Sequence, residues 1–370
     1  MKMNIQLNST YNSPEDRINI LALSLIRGFG PRRFIKIINK YKNIRNVLNL
    51  NLDALKQILP CDLAQIVRSK KFLSGIENYI KKLERLKITF ITVLDGNYPE
   101  LLKEIYDPPI VLYIKGDFRK EDLLNCFSVV GTRNCTPYGI EATSLFVREL
   151  IQKGFVIVSG MAFGIDSIAH KQAIRSEGRT IAVLSSSVDK PSPLSNVHIY
   201  NRILDNGFLI SECPLEYQIS AGMFPLRNRI IAGISKGVLV TEAPEKSGAL
   251  ITARLALEQG REVFAVPSNI YNIKGIGTNC LIKRGEAKLV QEGKDIFDEF
   301  YIKGIRKEVD RKLAKEQLEV FEILKLGPNS IDNIAKSLGR DIVQISQVVS
   351  FLEIEGMVSK IEGNMYVVLK

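Results

Sequence analysis

Several patterns that mark common protein classes are missing from this chain of 370 residues. Its five cysteines include no CxxC pair, which argues against a disulfide framework and against a structural zinc site. The segment from Met1 to Asp16 lacks the apolar stretch of a signal peptide, and no uncharged apolar run is long enough to span a membrane. We therefore expect a soluble cytoplasmic protein without a membrane span.

Two nucleotide-binding signatures are also absent. Gly131, Arg133 and Gly139 do not complete a GxGxxG pattern, and the Walker A pattern GxxxxGK[ST] does not occur. A dinucleotide cofactor and a P-loop nucleotide hydrolase are therefore poorly supported, and we expect no cofactor.

Acidic residues are outnumbered by basic ones. The chain has 40 Asp and Glu against 51 Lys and Arg, which gives a formal charge of +11. The basic residues are spread along the chain rather than gathered in a tail, so folding must organise the excess charge. A basic surface attracts polyanions, and nucleic acid is therefore the first partner to consider.

The length predicts two or three domains at roughly 150 residues each. Residues 1–82 show apolar residues at helical spacing and predict a small helical domain of the SAM or helix-hairpin-helix type. Its segment from Ile26 to Arg33 contains two glycines and a proline before basic residues, as in a helix-hairpin-helix that holds a phosphate. An αα-turn without a ligand explains the same pattern and stays open.

Residues 83–302 alternate short apolar runs with helical stretches. Runs that are apolar throughout predict a parallel sheet covered on both faces, hence a Rossmann-like, doubly wound, mostly parallel α/β domain. The predicted strands are Phe127 to Val130, Phe155 to Val158, Thr180 to Leu184, Phe208 to Ser211, Gly237 to Thr241, Glu262 to Val266 and Ala287 to Val290. The predicted helices lie near Pro137 to Lys153, Gly164 to Ser176, Asn196 to Asn206, Gly248 to Gln259 and Gly277 to Arg284.

Residues 303–370 begin with a charged linker, from Lys303 to Lys312, and continue with three predicted helices and a hairpin. This order predicts a winged-helix domain. Its third helix, from Ile342 to Glu355, contains no Lys or Arg, although such a helix normally enters a DNA major groove. We therefore expect a protein-interaction or dimer-accessory module rather than a reader of duplex DNA.

Three predicted turns carry small and polar residues directly after strands of the sheet. Turns at the carboxyl ends of parallel strands present backbone amides and helix N-termini to anions, so these turns predict a cradle for phosphates. The residues concerned are Gly131, Thr132 and Arg133 after the first strand, Ser159, Gly160, Ala162 and Gly164 after the second, and Glu242, Ser247 and Gly248 after the fifth.

A second cluster combines an aromatic ring with basic residues. Phe224 is followed by Arg227, Asn228 and Arg229, and a ring beside arginines can hold a single strand without reading its sequence. The alternative is the start of a helix, with Phe224 in the core and both arginines in solvent. Both interpretations stay open.

Read in order, these motifs resemble the DprA (Smf) family of DNA-processing proteins, most closely between Ile88 and Val290. The residues that carry the resemblance are Gly131-Thr132-Arg133, Ser159-Gly160-x-Ala162-x-Gly164-Ile165-Asp166, Ala169-His170, Ser211-Glu212, Phe224-Pro225-x-Arg227-Asn228-Arg229, Glu242-Ala243 with Ser247-Gly248, and Val266-Pro267. The chain departs from the family at Leu184 to Ser187 and Pro191 to Pro193, and at Ser220 to Gly222 before the aromatic residue.

The resemblance implies a homodimeric protein that binds single-stranded DNA and is not an enzyme. Such proteins protect incoming strands during natural transformation and help to load a RecA-type recombinase. By motif position the contacts would fall on Arg133, Ser159, Gly160, Phe224, Arg227 and Arg229. The dimer would use segments near residues 250–257 and 276–282. With the three turns, the predicted DNA-binding set is Gly131, Thr132, Arg133, Ser159, Gly160, Ala162, Gly164, Phe224, Arg227, Asn228, Arg229, Ser247 and Gly248.

The alternative function is a nucleotide-hydrolysing enzyme of the phosphoribohydrolase type, which shares this kind of phosphate-binding turn. The PGGxGT loop of those enzymes is absent, so Glu242 is either a relic of such a site or a helix-capping residue. Asp166 and His170 stand four residues apart and could ligate a metal or simply hydrogen-bond to each other. His198 has no companion residue, and we expect no metal and no catalytic residue.

Overall fold

The computed structural model describes residues 13–217, 222–302, 315–354, 357–361 and 363–368. They fall into two compact units, and the chain passes from the first to the second between Phe300 and Tyr301. The predicted division into three domains stays a prediction, and the predicted linker from Lys303 to Lys312 lies outside the described residues. Among the described residues no helix has the length and apolar character needed to cross a membrane.

The first unit begins with six short helices, which pack against one edge of a sheet. They are α1 (Pro14–Ser24), α2 (Pro31–Tyr41), α3 (Ile44–Leu48), α4 (Leu52–Lys56), α5 (Cys61–Ser69) and α6 (Ile76–Arg85). The Asn43 and Asn51 side chains accept first-turn amides and so fix where α3 and α4 begin. The apolar faces of these helices share one hydrophobic core with the sheet.

Nine strands form the sheet, in the order β1-β2-β6-β5-β4-β3-β7-β8-β9. They are β1 (Thr89–Thr92), β2 (Val111–Gly116), β3 (Cys126–Val130), β4 (Val156–Ser159), β5 (Thr180–Val183), β6 (Gly207–Ser211), β7 (Gly237–Val240), β8 (Glu262–Ala265) and β9 (Lys288–Leu289). Strands β3 to β9 are parallel, as the apolar runs predicted. The antiparallel edge strands β1 and β2 were not predicted.

Helices cover both faces of the sheet because alternate residues of each strand point to opposite sides. Phe127 and Val129 pack with α8 and α9 on one face, whereas Val130 packs with α11 and α12 on the other. The helices are α7 (Glu100–Lys103), α8 (Pro137–Gln152), α9 (Ile165–Arg175), α10 (Val197–Asn206), α11 (Met223–Ile234), α12 (Gly248–Glu258), α13 (Ile276–Lys283) and α14 (Gly293–Ile302). The predicted mixed α/β domain with a mostly parallel sheet is confirmed.

The order in which the chain adds strands to the sheet reverses beside β3. From β3 the chain adds β4, β5 and β6 on one side, and then returns to add β7, β8 and β9 on the other. In open α/β sheets, ligands bind at the carboxyl ends of the strands where the order reverses. This rule points to the turns after β3 and β7.

The second unit contains α15 (Lys315–Leu326), α16 (Ile331–Leu338) and α17 (Ile342–Ile354). Its strands are β10 (Asn329–Ser330), β11 (Val358–Ile361) and β12 (Met365–Val368), antiparallel in the order β10-β12-β11. Apolar residues of the three helices form a separate small core with Val358 and Tyr366. The predicted helices and hairpin are present, while the winged-helix assignment stays a prediction; Glu355 and Glu362 lie outside the described residues.

Candidate nucleic-acid interface

The three predicted turns lie side by side at the carboxyl edge of the sheet. They follow the neighbouring strands β4, β3 and β7 and comprise residues 160–164, 131–136 and 241–247, which we call the three-turn edge. The Ile165 amide donates to the Thr132 carbonyl at 3.1 Å, and the Thr132 amide donates to the Glu242 carbonyl at 2.7 Å. These backbone bonds join the three turns into one surface.

Two glycines make this close packing possible. Gly164 has φ +71°, and a Cβ there would lie 2.3 Å from the Thr132 carbonyl oxygen. A Cβ on Gly160 would lie 1.6 Å from Nη1 of Arg227. Larger residues at these positions would push the turns apart, so the glycines set the shape of the edge rather than offer free space for a phosphate.

A carboxylate of the protein itself occupies the turn after β3, residues 131–136, which we call the first turn. Glu242 is 1% exposed and accepts from the Thr136 amide at 2.8 Å, from the Thr136 hydroxyl at 2.6 Å and from Nδ2 of Asn272 at 3.2 Å. Thr136 caps α8, so the Glu242 carboxylate takes the anion position at the N-terminus of that helix. This agrees with the helix-capping interpretation of Glu242.

The turn after β4, residues 160–164, also binds an internal carboxylate, and we call it the second turn. The buried carboxylate of Asp166 accepts from the Gly160 amide at 3.1 Å and from the Ala162 amide at 3.3 Å. Burial raises the pKa of Asp166, and the nearby Arg227 opposes this by stabilising the charged form. The amides of Gly160 and Ala162 thus have an internal carboxylate as their partner, as does the amide of Thr136, and DNA binding by Gly160 and Ala162 stays a prediction.

Both arginines of the second cluster are buried, each 6% exposed. Arg227 donates from Nη1 to the Val183 carbonyl at 2.8 Å, and its own burial lowers its pKa while Asp166 raises it. Arg229 forms an ion pair with Glu212 and lies 3.4 Å from Asp107. Neither interpretation of the cluster predicted this burial, which results from acidic partners on other segments.

Arg133 and Phe224 are the predicted residues that the structure leaves at the surface and brings together. Arg133 is exposed, and its guanidinium carbon lies 5.1 Å from the centre of the half-buried Phe224 ring. They come from segments about ninety residues apart, the turn after β3 and the start of α11. A cation held over an aromatic ring offers one group for phosphate and one for a base.

The other predicted residues support this surface or lie at its rim. The hydroxyl of Ser159 is buried and donates to the Val129 carbonyl at 2.7 Å. Ser247 caps α12 by accepting from the Ala249 amide at 3.3 Å, and Gly248 is exposed with no atom near its would-be Cβ. Asn228 lies beside Gly248, with 3.5 Å between Nδ2 and the glycine carbonyl. Ser220 and Ala221, where the chain departs from the family, lie outside the described residues.

One exposed aromatic residue of the three-turn edge was missed. Phe163 is 48% exposed and lies between Gly160 and Gly164. An aromatic residue between two glycines in a βα turn is a usable signal, because a short turn has no room to bury a large ring. The predicted binding residues of this turn were its small residues, and the exposed Phe163 was not among them.

Comparison with known proteins assigns the family. The family model for DNA recombination-mediator protein A matches residues 89–301, which include the whole sheet and the three-turn edge. The chain belongs to this family. DNA processing protein DprA of Bacillus subtilis is 40% identical over 240 residues, or 63% of this chain and 80% of that protein. DprA of Streptococcus pneumoniae is 37% identical over 267 residues, or 70% and 93%.

Solved structures of the family have the same fold. The X-ray structure of DprA from Streptococcus pneumoniae is similar with a TM-score of 0.68 at 33% identity, covering 76% of this chain and 97% of that one. A structure of DprA from Helicobacter pylori, described in terms of its single-stranded DNA binding mode, is similar with a TM-score of 0.53 at 30% identity, covering 59% and 97%. The predicted resemblance to the DprA (Smf) family is confirmed.

Asp166 and His170, four residues apart, hydrogen-bond to different partners rather than to each other. The Nδ1 atom of His170 lies 2.7 Å from the Thr180 hydroxyl, while Asp166 binds the turn amides. Within the described ranges, no group of three or more His, Cys, Asp and Glu residues is arranged to hold a metal ion. His170 is fully buried, and this burial lowers its pKa to about 3.

His170 predicts a loss of stability in mild acid. The folded protein keeps this histidine neutral, whereas the unfolded chain takes up its proton below the ordinary pKa of 6.5. The free energy of unfolding should therefore fall as the pH drops from 6.5 towards 3, by about 1.4 kcal/mol per pH unit. Urea titrations at pH 7 and pH 5 should show a loss of about 2 kcal/mol from this group alone.

Replacement of each of the two histidines isolates this effect. His170→Gln should unfold with a smaller difference between the two pH values, and the exposed His198→Gln should match the wild type. Asp166 acts in the opposite direction, because a carboxyl with a raised pKa favours folding as the pH falls. Since all three proteins keep Asp166, an equal pH dependence in His170→Gln and wild type would contradict the prediction.

Proposed function

We propose that this chain is a single-stranded DNA-binding protein that holds the strand along the three-turn edge. The observation that carries the proposal is the exposed Arg133 guanidinium over the Phe224 ring, at the point where the sheet order reverses. A formal charge of +11 would draw a polyanion to this surface. The family relative from Helicobacter pylori, described as binding single-stranded DNA, supports the same class of ligand.

The predicted DNA-binding set divides into contacts and supports in this proposal. Arg133, Phe224, Asn228, Ser247 and Gly248 contact the strand. The buried or tightly packed members, Gly131, Thr132, Ser159, Gly160, Ala162, Gly164, Arg227 and Arg229, hold those contacts in position. Because Arg133 supplies a charge and Phe224 a ring, binding depends on phosphates and base faces and not on sequence.

We propose the role that the family resemblance implies. The protein protects incoming single strands in natural transformation and recombination and promotes loading of a RecA-type recombinase. It acts as a cytoplasmic homodimer through α12 and α13, which line an open groove of about 670 Å³ with Leu250, Ile251, Leu257, Cys280 and Leu281. The second unit is a winged-helix module for protein contacts, since α17 carries no basic residue and exposes Ile342 and Val343.

The enzymatic alternative has little support at Glu242. A general acid or base must reach the substrate, but this carboxylate is 1% exposed and hydrogen-bonded to Thr136 and Asn272. We therefore assign Glu242 a structural role, joining β7 to the N-terminus of α8. The protein is proposed to act by binding and not by catalysis.

Fluorescence anisotropy tests the proposed function directly. The wild-type protein is titrated with a labelled homopolymer strand and with a matched duplex across a series of salt concentrations. We expect tight binding of the single strand, weak binding of the duplex and a linear fall of log K with log salt. If neither DNA bound at low salt, the proposal would fail, and nucleoside monophosphates would be tested for hydrolysis with Glu242→Ala as the control.

A further inference from the structure

The segment between β8 and α13 exposes large apolar side chains that no predicted site includes. In this segment, residues 267–275, Ile270 is 78% exposed, Tyr271 is 86% exposed and Ile273 is 74% exposed. We call it the Tyr271 loop. Clustered exposed apolar residues on an otherwise well-packed domain commonly mark a binding surface.

Hydrogen bonds hold the Tyr271 loop in a defined shape. Asn272 donates from Nδ2 to the Ser268 hydroxyl at 2.9 Å and accepts from the Lys274 amide at 3.1 Å. Asn269 accepts from the Tyr271 amide at 2.9 Å. These three hydrogen bonds restrict the conformation of the loop that carries the exposed Tyr271 ring. A loop that is already ordered loses less conformational entropy on binding.

The Tyr271 loop is joined to the three-turn edge. Asn272 also donates to Glu242, the carboxylate that holds Thr136 and so the first turn. From the other side, the hydroxyl of Tyr138, itself 46% exposed, donates to the Pro267 carbonyl at 2.7 Å. The loop therefore extends the same surface, beyond the turn that carries Arg133.

A second positive charge lies at this junction. The Lys274 amide donates to the side chain of Asn272, which in turn donates to Glu242, and Glu242 accepts the Thr136 amide. These hydrogen bonds connect the turn that carries Arg133 to the loop that carries Lys274 and Tyr271, while Arg133 itself lies over the Phe224 ring.

We propose that the Tyr271 loop is a second base-stacking site for the same single strand, with Lys274 contacting a phosphate between the two sites. This inference rests on the proposed function. Alternating rings and cations match the alternation of bases and phosphates along a strand, and stacking tolerates any base. A second copy of the chain is the competing occupant, and an apolar contact with it would remove the Lys274 ammonium group from water at a cost in free energy.

The test compares a short strand, long enough only for the Arg133 and Phe224 site, with a strand about three times as long. In anisotropy titrations, Tyr271→Ala should lose about five- to tenfold in affinity for the long strand and little for the short one. Tyr271→Phe keeps the ring and should recover most of the loss. Leu124→Ala, another exposed apolar residue at the opposite edge of the sheet, should bind both strands like the wild type.

Two further measurements keep the outcomes separate. A long strand carrying 5-iododeoxyuridine should crosslink to Tyr271 on irradiation, and peptide mass spectrometry would locate the link. Light scattering should give the same mass for Tyr271→Ala and wild type. Unchanged binding of the long strand by Tyr271→Ala, or a fall in its mass, would overturn the inference. A wild-type protein that binds no single strand would instead overturn the proposed function.

Discussion

Arg133→Ala is expected to lower the affinity for a single-stranded homopolymer by about tenfold to a hundredfold, the range of one charge-assisted hydrogen bond. Arg133 carries the exposed guanidinium at the centre of the proposed site. Without it the protein neutralises one phosphate fewer, so fewer counterions are released from the DNA on binding. The slope of log K against log salt should therefore become shallower by about 0.7. Anisotropy titrations over a salt series give both quantities for the same variant.

Phe224→Leu provides the second half of this experiment. Because the Arg133 guanidinium lies over the Phe224 ring, the two substitutions should not be additive, and the double variant should lose less affinity than the sum of the single losses. Lys153→Ala is the matched control. Lys153 also lies over a ring, 5.7 Å from the centre of Phe297, but at the opposite end of α8. Equal losses in Arg133→Ala and Lys153→Ala would show that only net charge matters.

Asp166→Ala is expected to reduce the free energy of unfolding by about 3–5 kcal/mol, the effect of leaving a buried partner charge uncompensated. The carboxylate is buried between the Gly160 and Ala162 amides and stabilises the charged form of Arg227. Its removal leaves a buried guanidinium and two amides without an anion. Urea unfolding followed by circular dichroism at pH 7 measures the loss.

Arg227→Met in the Asp166→Ala background distinguishes charge from packing. If the unpaired guanidinium causes the loss, the double variant should be more stable than Asp166→Ala alone. The exposed Asp205→Ala should stay within about 0.5 kcal/mol of the wild type, as surface substitutions do. Losses that simply add in the double variant would indicate that Asp166 acts on the turn amides and not on Arg227.

The parallel sheet and the position of its turns could be predicted from local pattern. Runs such as Phe127 to Val130 are apolar at every position, which indicates a strand buried on both faces. Because the carboxyl ends of parallel strands meet at one edge, the turns at Gly131, Gly160 and Glu242 were expected to lie together, and they do. The strands β1 and β2 were not predicted because they are antiparallel to their neighbours and do not belong to the alternating βαβ pattern from which the other strands were inferred.

The charged groups of the site could not be predicted in this way. Arg229 reads as a surface residue, yet Glu212 and Asp107 pair with it inside the protein. Asp166 and Glu242 were predicted beside phosphate-binding turns, and the structure shows that their carboxylates accept hydrogen bonds from the Gly160 and Thr136 amides. A local pattern shows which residue types follow a strand, whereas the partner of a charge depends on which distant segment packs against it.

The sequence by itself determined the family, the parallel sheet and the edge at which the three turns meet, because periodicity and turn residues act over a few positions. Only the tertiary structure decided which groups remain available at that edge. Thr136 and Glu242 are 106 residues apart, and the Glu242 carboxylate accepts the Thr136 amide at the start of α8. Arg133 stays exposed above Phe224 because, in the part of the chain that the structure describes, no carboxylate forms an ion pair with it. Tyr271 stays exposed on a loop that Asn272 ties to Glu242.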